Sequence, residues 1–116
     1  AFTLPLVGVG AVGLLFRLES RWLLNLGDTL LLEDAWRGLR PEVLMVPIGG
    51  LMTMDEDTAL RAVATIEPQV VIPTHYNWYI LFYHRQTEVE RFAAGVRAFG
   101  CQCLPLEPGE SVEVEV

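Results

Sequence analysis

The chain contains no lysine: all eight of its basic residues are arginine, against fifteen acidic ones. A net charge of −7 repels a polyanion, which excludes nucleic acid from the expected partners. Histidine and cysteine are scarce, at two each, so few side chains are available for a metal site or a disulfide. Cys101 and Cys103 form a single C-x-C, a spacing that rarely permits the geometry of an ordinary disulfide. They read as two buried thiols of a protein in a reducing cytoplasm, with a redox or metal role as the alternative. Long apolar runs are missing as well. Residues 1–16 carry no charge, yet they fall short of the ~18–20 needed for a membrane span and include Pro5 and three glycines. No basic segment precedes them, which leaves a signal peptide unsupported. No repeat, linker or low-complexity stretch interrupts the 116 residues, and no initiator methionine opens them. The chain enters an apolar run at Ala1 and reads as part of a longer protein, one small domain or a piece of one.

The segment Leu6 to Phe16, LVGVGAVGLLF, has glycines at 8, 10 and 13, the spacing of a dinucleotide-binding turn, and Asp28 follows at about the distance of the ribose-binding acid. A nucleotide-binding protein using Gly8, Gly10 and Gly13 is therefore one reading. It requires a helix from Ala11 to Leu23 that starts on Val12 and Gly13, has no N-cap side chain, and follows a strand containing Pro5. The stronger pattern is a period of two from Gly10 to Leu18, with Val12, Leu14, Phe16 and Leu18 alternating with Gly13, Leu15, Arg17 and Glu19. That pattern predicts a half-buried strand turning at Glu19-Ser20 into a second strand, Trp22 to Leu26.

Further on, the expected order is a short helix over Leu31 to Arg37 closed by Gly38, then a buried strand from Val43 to Val46 ending in PIGG. A helix over Glu56 to Ile66 follows, capped by Asp55 or Thr53, with Leu60, Val63, Ala64 and Ile66 on its inner side. Glu67-Pro68 stops it ahead of a strand from Val70 to Ile72, and Thr87 with Glu90 predicts a capping box for a helix reaching Phe99. The end reads as a strand or hairpin, Cys101 to Leu106 and Ser111 to Val116, around Pro108-Gly109. Alternating strands and amphipathic helices make the fold class α/β.

Three strands in this reading end in distinctive loops: Gly27-Asp28-Thr29, Pro47-Ile48-Gly49-Gly50 and Pro73-Thr74-His75-Tyr76-Asn77. Ligands of open α/β sheets gather beyond strand ends, so Asp28 and His75 become candidates to converge. A carboxylate and an imidazole suit zinc, manganese or iron. The bland readings are a turn cap for Asp28 and a backbone hydrogen bond for His75. Thr53 and Asn77 are candidates to hydrogen-bond a substrate oxygen. Trp78, Tyr79, Phe82 and Tyr83 either line a substrate pocket or cover a core, Met52 and Met54 read as packing residues, and His84 reads as a loop or helix-start residue, with a ligand or substrate contact as the alternative.

The ordered series LGDT, VPIGGLMTMD, helix, VVIPTHYNW resembles the C-terminal half of the metallo-β-lactamase-fold hydrolases. The likeness is to the group containing ascorbate-6-phosphate lactonase and the phospholipase D acting on N-acylphosphatidylethanolamine. It implies one half of an αββα sandwich and a metal-dependent hydrolase of an ester, lactone or phosphodiester. It assigns Asp28 as the catalytic carboxylate bridging two divalent ions, zinc or manganese, and His75 as a ligand to one of them. Gly49, Gly50, Thr53, Tyr76 and Asn77 fall beside the substrate. The family's H-x-H-x-D-H motif, which supplies most of its ligands, does not occur here. The resemblance therefore implies a small-molecule substrate and a partner in the missing N-terminal half or an equivalent chain, with homo-oligomerisation as another way of covering exposed apolar surface. A metal-free binding or structural half-domain is the alternative.

Overall fold

A computed structural model describes residues 2–6, 9–50, 53–76, 79–80, 83–84 and 88–115, without the side chains of 2–6, 9–12, 79–80 and 83–84. Strands β1 (Phe2–Leu6), β2 (Val9–Leu18) and β3 (Arg21–Asn25) form an antiparallel meander. Strands β4 (Val43–Pro47), β5 (Val70–Thr74) and β8 (Gln102–Cys103) then add in parallel, giving a six-stranded sheet in the order β1-β2-β3-β4-β5-β8. The parallel connections are made by helices α1 (Glu33–Trp36), α2 (Glu56–Ile66) and α3 (Val89–Ala98). A two-stranded ribbon, β6 (Tyr79–Ile80) with β7 (Tyr83–His84), precedes α3.

The period of two from Gly10 to Leu18 is thus a strand, ten residues long and paired on both sides. The helix that a dinucleotide-binding turn requires at Ala11 to Leu23 is absent, so that reading is withdrawn; Gly8 itself lies outside the described residues. The tight Glu19-Ser20 turn holds both residues at positive φ.

The two faces of the sheet are covered differently. Leu24, Leu44 and Val71 stand in register across β3, β4 and β5 and are buried beneath the helices with Trp36, Val63, Ile66, Phe92 and Val96. Removing these apolar surfaces from water, at roughly 25 cal/mol per Å², supplies the main drive for collapse. On the other face Val43, Val70 and Ile72 pack with Leu23, Met45, Leu104, Leu106 and Val114. The segment after β8 therefore lies across the face away from the helices. It contains a turn at Pro108-Gly109 but, among the described residues, no strand at 111–115, which corrects the expected terminal hairpin. Leu14, Phe16 and Leu18, on the same side of β2, remain 38–58% exposed.

Helix α2 begins where expected. Asp55 accepts from the Thr58 amide and the Thr58 hydroxyl accepts from the Asp55 amide, a reciprocal box that satisfies two end groups of the helix. Its inner side differs from the expected one, because Ala59 and Ala62 are buried with Val63 and Ile66 whereas Ala64 is exposed. Glu67 leaves the helix in the left-handed region at φ 57°. Helix α3 starts without a side-chain cap at Glu88, and Thr87 lies outside the described residues. The Glu88 amide donates instead to the buried carboxylate of Glu56, tying the starts of α2 and α3 together. Among the described residues no helix is long and apolar enough to cross a membrane.

Candidate metal centre

Because β3, β4 and β5 are parallel neighbours, their C-terminal ends share one edge of the sheet, and the three distinctive loops leave side by side. The Leu26 amide still donates to Met45 O, but Asn25 Oδ1 then accepts from the Gly27 amide and Gly27 takes φ 70°. This side-chain-closed turn swings the chain out of the sheet and leaves Asp28 exposed. Thr29 immediately returns to the interior, fully buried. On β5 the ladder runs to Thr74, whose carbonyl accepts from the Ile48 amide. His75 then adopts φ 54°, a left-handed conformation costing an L-residue roughly 1–2 kcal/mol. The ring lies toward Asp28.

Between them the loop after β4 closes on itself. Gly50, at φ 76°, donates its amide to Met54 O, and the Met54 amide donates to Thr29 O. Gly49 and Gly50 are buried, and the Thr53 hydroxyl donates inward to Gly50 O and Met54 O. One hydrogen-bonded unit thus spans the Asp28 loop, the PIGG loop and the His75 loop.

The result is a pair: His75 Nε2 stands 3.9 Å from Asp28 Oδ1, with the His75 side chain 37% and the Asp28 side chain 70% exposed. Two donors each ~2.0–2.2 Å from one zinc ion and at a tetrahedral angle are roughly 3.4 Å apart, so the pair needs to close by only about half an ångström. An imidazole nitrogen and a carboxylate oxygen form a donor set that zinc and manganese both accept. The residues fit a divalent cation. Among the described residues no group of three or more His, Cys, Asp or Glu is placed to hold a metal, and Asp28 and His75 stand as a pair.

The remaining candidates divide. Gly49, Gly50 and Thr53 lie in the loop between Asp28 and His75, with the Thr53 hydroxyl turned into the loop rather than outward. Tyr76 follows His75 but donates its hydroxyl to Leu106 O at 2.7 Å. Burial, reinforced by the Glu107 carboxylate, raises its phenol above the usual range and keeps it a neutral donor. Asn77, Trp78, Phe82 and Met52 lie outside the described residues, and of Tyr79, Tyr83 and His84 only the backbone, in the ribbon, is described. Cys103 pairs in register with Val71, on the first half of β5 and away from the loop edge. Burial pushes its thiol up to about 11, and Cys101 donates its thiol to Pro68 O, so both are protonated free thiols. The Tyr76–Leu106 bond was not legible in the sequence, since nothing local marks residue 106 as a neighbour of residue 76.

The Beta-lactamase superfamily domain pattern matches residues 11–75, a span that closes on His75. A UPF0173 metal-dependent hydrolase of Metallosphaera sedula is 35% identical over 76% of this chain and 39% of its own length. One from Carboxydothermus hydrogenoformans is 36% identical over 86% of this chain and 44% of its own length. Among solved structures, Igni18, a metallo hydrolase of Ignicoccus hospitalis, superposes with a TM-score of 0.74 at 31% identity, covering 90% of this chain and 46% of that one. The chain therefore spans less than half the length of these relatives.

Proposed function

Since this chain belongs to the beta-lactamase superfamily domain family, whose pattern covers more than half of it, we propose that it supplies part of the active site of a metal-dependent hydrolase acting on an ester, lactone or phosphodiester. The convergence of Asp28 and His75 at 3.9 Å carries this reading. Bound divalent ions, zinc or manganese, would polarise the scissile oxygen and make a water nucleophilic at neutral pH.

The chain's own residues have separate tasks. Asp28, exposed on its turn, presents two carboxylate oxygens and can therefore hold an ion with each. His75 offers one imidazole nitrogen from a residue in the left-handed conformation. Gly49 and Gly50, buried in the intervening loop, lie beside the substrate, and Asn77 is the sequence's candidate to meet a substrate oxygen. The remaining ligands come from the other part of a longer protein, an N-terminal half in the family's arrangement, or from an equivalent chain. Two free thiols suit a cytoplasmic protein.

The experiment is an assay of the longer gene product with a generic phosphodiester or lactone, its metal content read by mass spectrometry. Zinc or manganese should be bound, a chelator should stop turnover, and Asp28→Asn should remove most of the rate. A longer wild-type protein without metal, or Asp28→Asn with two bound ions and full rate, overturns the reading.

A further inference from the structure

Strands β3 and β5 do not touch, and their registers with β4 end short of the two candidate ligands, at Asn25–Met45 on one side and Pro47–Thr74 on the other. The spacing of Asp28 and His75 therefore depends on what crosses from one strand end to the other beyond the sheet. Two backbone bonds of the loop after β4 do so. The Ile48 amide donates to the carbonyl of Thr74, one residue before His75, at 3.0 Å, and the Met54 amide donates to the carbonyl of Thr29, one residue after Asp28, at 2.9 Å. The loop is a strut with one foot beside each ligand.

One side chain braces it. The Gly50 amide donates to Met54 O at 2.9 Å, and the Thr53 hydroxyl, with a single hydrogen to give, reaches Gly50 O at 3.2 Å and Met54 O at 3.3 Å. Thr53 is only 6% exposed, so its hydroxyl is spent inside the loop and not on a substrate oxygen. Its neighbours are equally enclosed: Thr29 is fully buried and Met54 belongs to the helix-covered core, so the brace does not depend on the open face of the sheet. From this we infer that Thr53 is a positioning residue, whose hydroxyl keeps Gly50 and Met54 together and, through the Met54–Thr29 bond, holds the turn that presents Asp28 toward His75. Without the brace the strut's feet sample more than one separation, and each departure from the 3.9 Å pairing lowers the affinity for an ion shared by both groups. The effect on metal rests on Asp28 and His75 being the ligands; the effect on the turn does not.

The test uses the longer gene product and two hydroxyl-free variants, Thr53→Val, which keeps the shape, and Thr53→Ala, with Thr53→Ser as the rescue. Zinc affinity, measured by competition with a chromophoric chelator, should fall roughly tenfold in Thr53→Val and Thr53→Ala, the scale of losing a group that orients ligands, and return in Thr53→Ser. At saturating zinc the KM for a generic phosphodiester or lactone should stay at the wild-type value. In the metal-free protein, hydrogen exchange read by mass spectrometry should be roughly fivefold faster in Thr53→Val at the peptides carrying the Met54 amide and the Asp28 turn, the scale of one neutral hydrogen bond. Asp55→Ala is the control for general loosening, since it weakens the start of α2 and should leave zinc affinity unchanged. Wild-type zinc affinity in a folded Thr53→Val, an equal loss in Thr53→Ser or Asp55→Ala, or a raised KM with zinc affinity intact overturns the inference, the last by making Thr53 a substrate contact. A wild type that binds no zinc counts against the metal pair alone, and the exchange then decides: faster exchange in the Asp28 turn upholds the brace, and unchanged exchange removes it.

Discussion

His75 Nε2 and Asp28 Oδ1 lie 3.9 Å apart at the ends of two strands that do not touch, β3 and β5, separated by β4. The relationship follows from topology. Parallel strands put their C-terminal ends on one edge, and each of the two residues sits on a turn with positive φ, at Gly27 in one case and at His75 itself in the other. If Asp28 and His75 are the ligands this chain contributes, it should bind zinc weakly alone, and either Asp28→Asn or His75→Ala should abolish the binding in isothermal titration. Submicromolar affinity of the isolated chain would show that ligands beyond this pair are involved.

The backbone of His75 gives a second, independent readout. His75→Gly should lose the metal as His75→Ala does, yet it removes the left-handed penalty that alanine keeps. After the extra unfolded-state entropy of glycine, the glycine variant should be more stable than the alanine variant by about 0.5–1 kcal/mol in urea unfolding. Equal stabilities would mean that the φ of 54° stores no strain.

What the sequence made legible was local or periodic. The alternation over β2, the Asp55 cap, the Glu67-Pro68 stop and the order of the three loop motifs each depend on neighbours in the chain, and each is present in the fold. Asp28 and His75 could be nominated because strand ends in a parallel sheet share an edge. Contacts set by packing across the sheet were invisible. Ser111 onward alternates apolar and acidic residues like a strand, but it finds no ladder partner among the described residues and lies over Val43 through Val114. Ala64 looked internal, yet α2 turns Ala59 and Ala62 toward the close approach of α3, where a Cβ on Gly95 would meet Leu60 at 2.8 Å.

Leu14, Phe16 and Leu18 leave apolar surface in water on a face continuous, through the Phe16–Leu23 and Leu23–Val43 register, with the second core. Such contiguous patches drive association. The chain should elute from a sizing column as oligomers or aggregates, and the pair Leu14→Lys with Leu18→Glu should shift it toward monomer without changing the circular dichroism spectrum. A monodisperse wild-type monomer by light scattering would contradict this.

Asp55 should matter to the fold and not to the metal. Asp55→Ala removes one side of the box at the start of α2 and should cost about 1 kcal/mol in urea unfolding. Thr58→Ala should cost less, because the Asp55 carboxylate still reaches the amide. Neither should change zinc affinity, since the box lies beyond the loop that carries Gly50 and Thr53. A loss of zinc binding in either variant would show that the three loops and the helix start move as one unit.

Alkaline pH should weaken the fold through Cys103. Burial lifts its thiol from an ordinary value near 9.0 to about 11, with Arg97 opposing part of the shift. The folded protein therefore keeps a proton that the unfolded chain has released between those two values. Where the folded state binds more protons, unfolding becomes easier as pH rises, so the contribution is intact below about pH 9 and is lost as pH climbs through about 11. The Tyr76 phenol, also raised by burial and by Glu107, adds a loss of the same sign above its ordinary value of 10.0. Unfolding free energies measured by urea from neutral pH to about pH 11 should fall by an amount on the order of 2 kcal/mol from the thiol. Cys103→Ala should start lower, from lost packing, and fall less steeply. Thiolate absorbance supplies the direct check: half-titration of both thiols near pH 9 in the folded chain would overturn the assignment of Cys103 as a buried, protonated core residue.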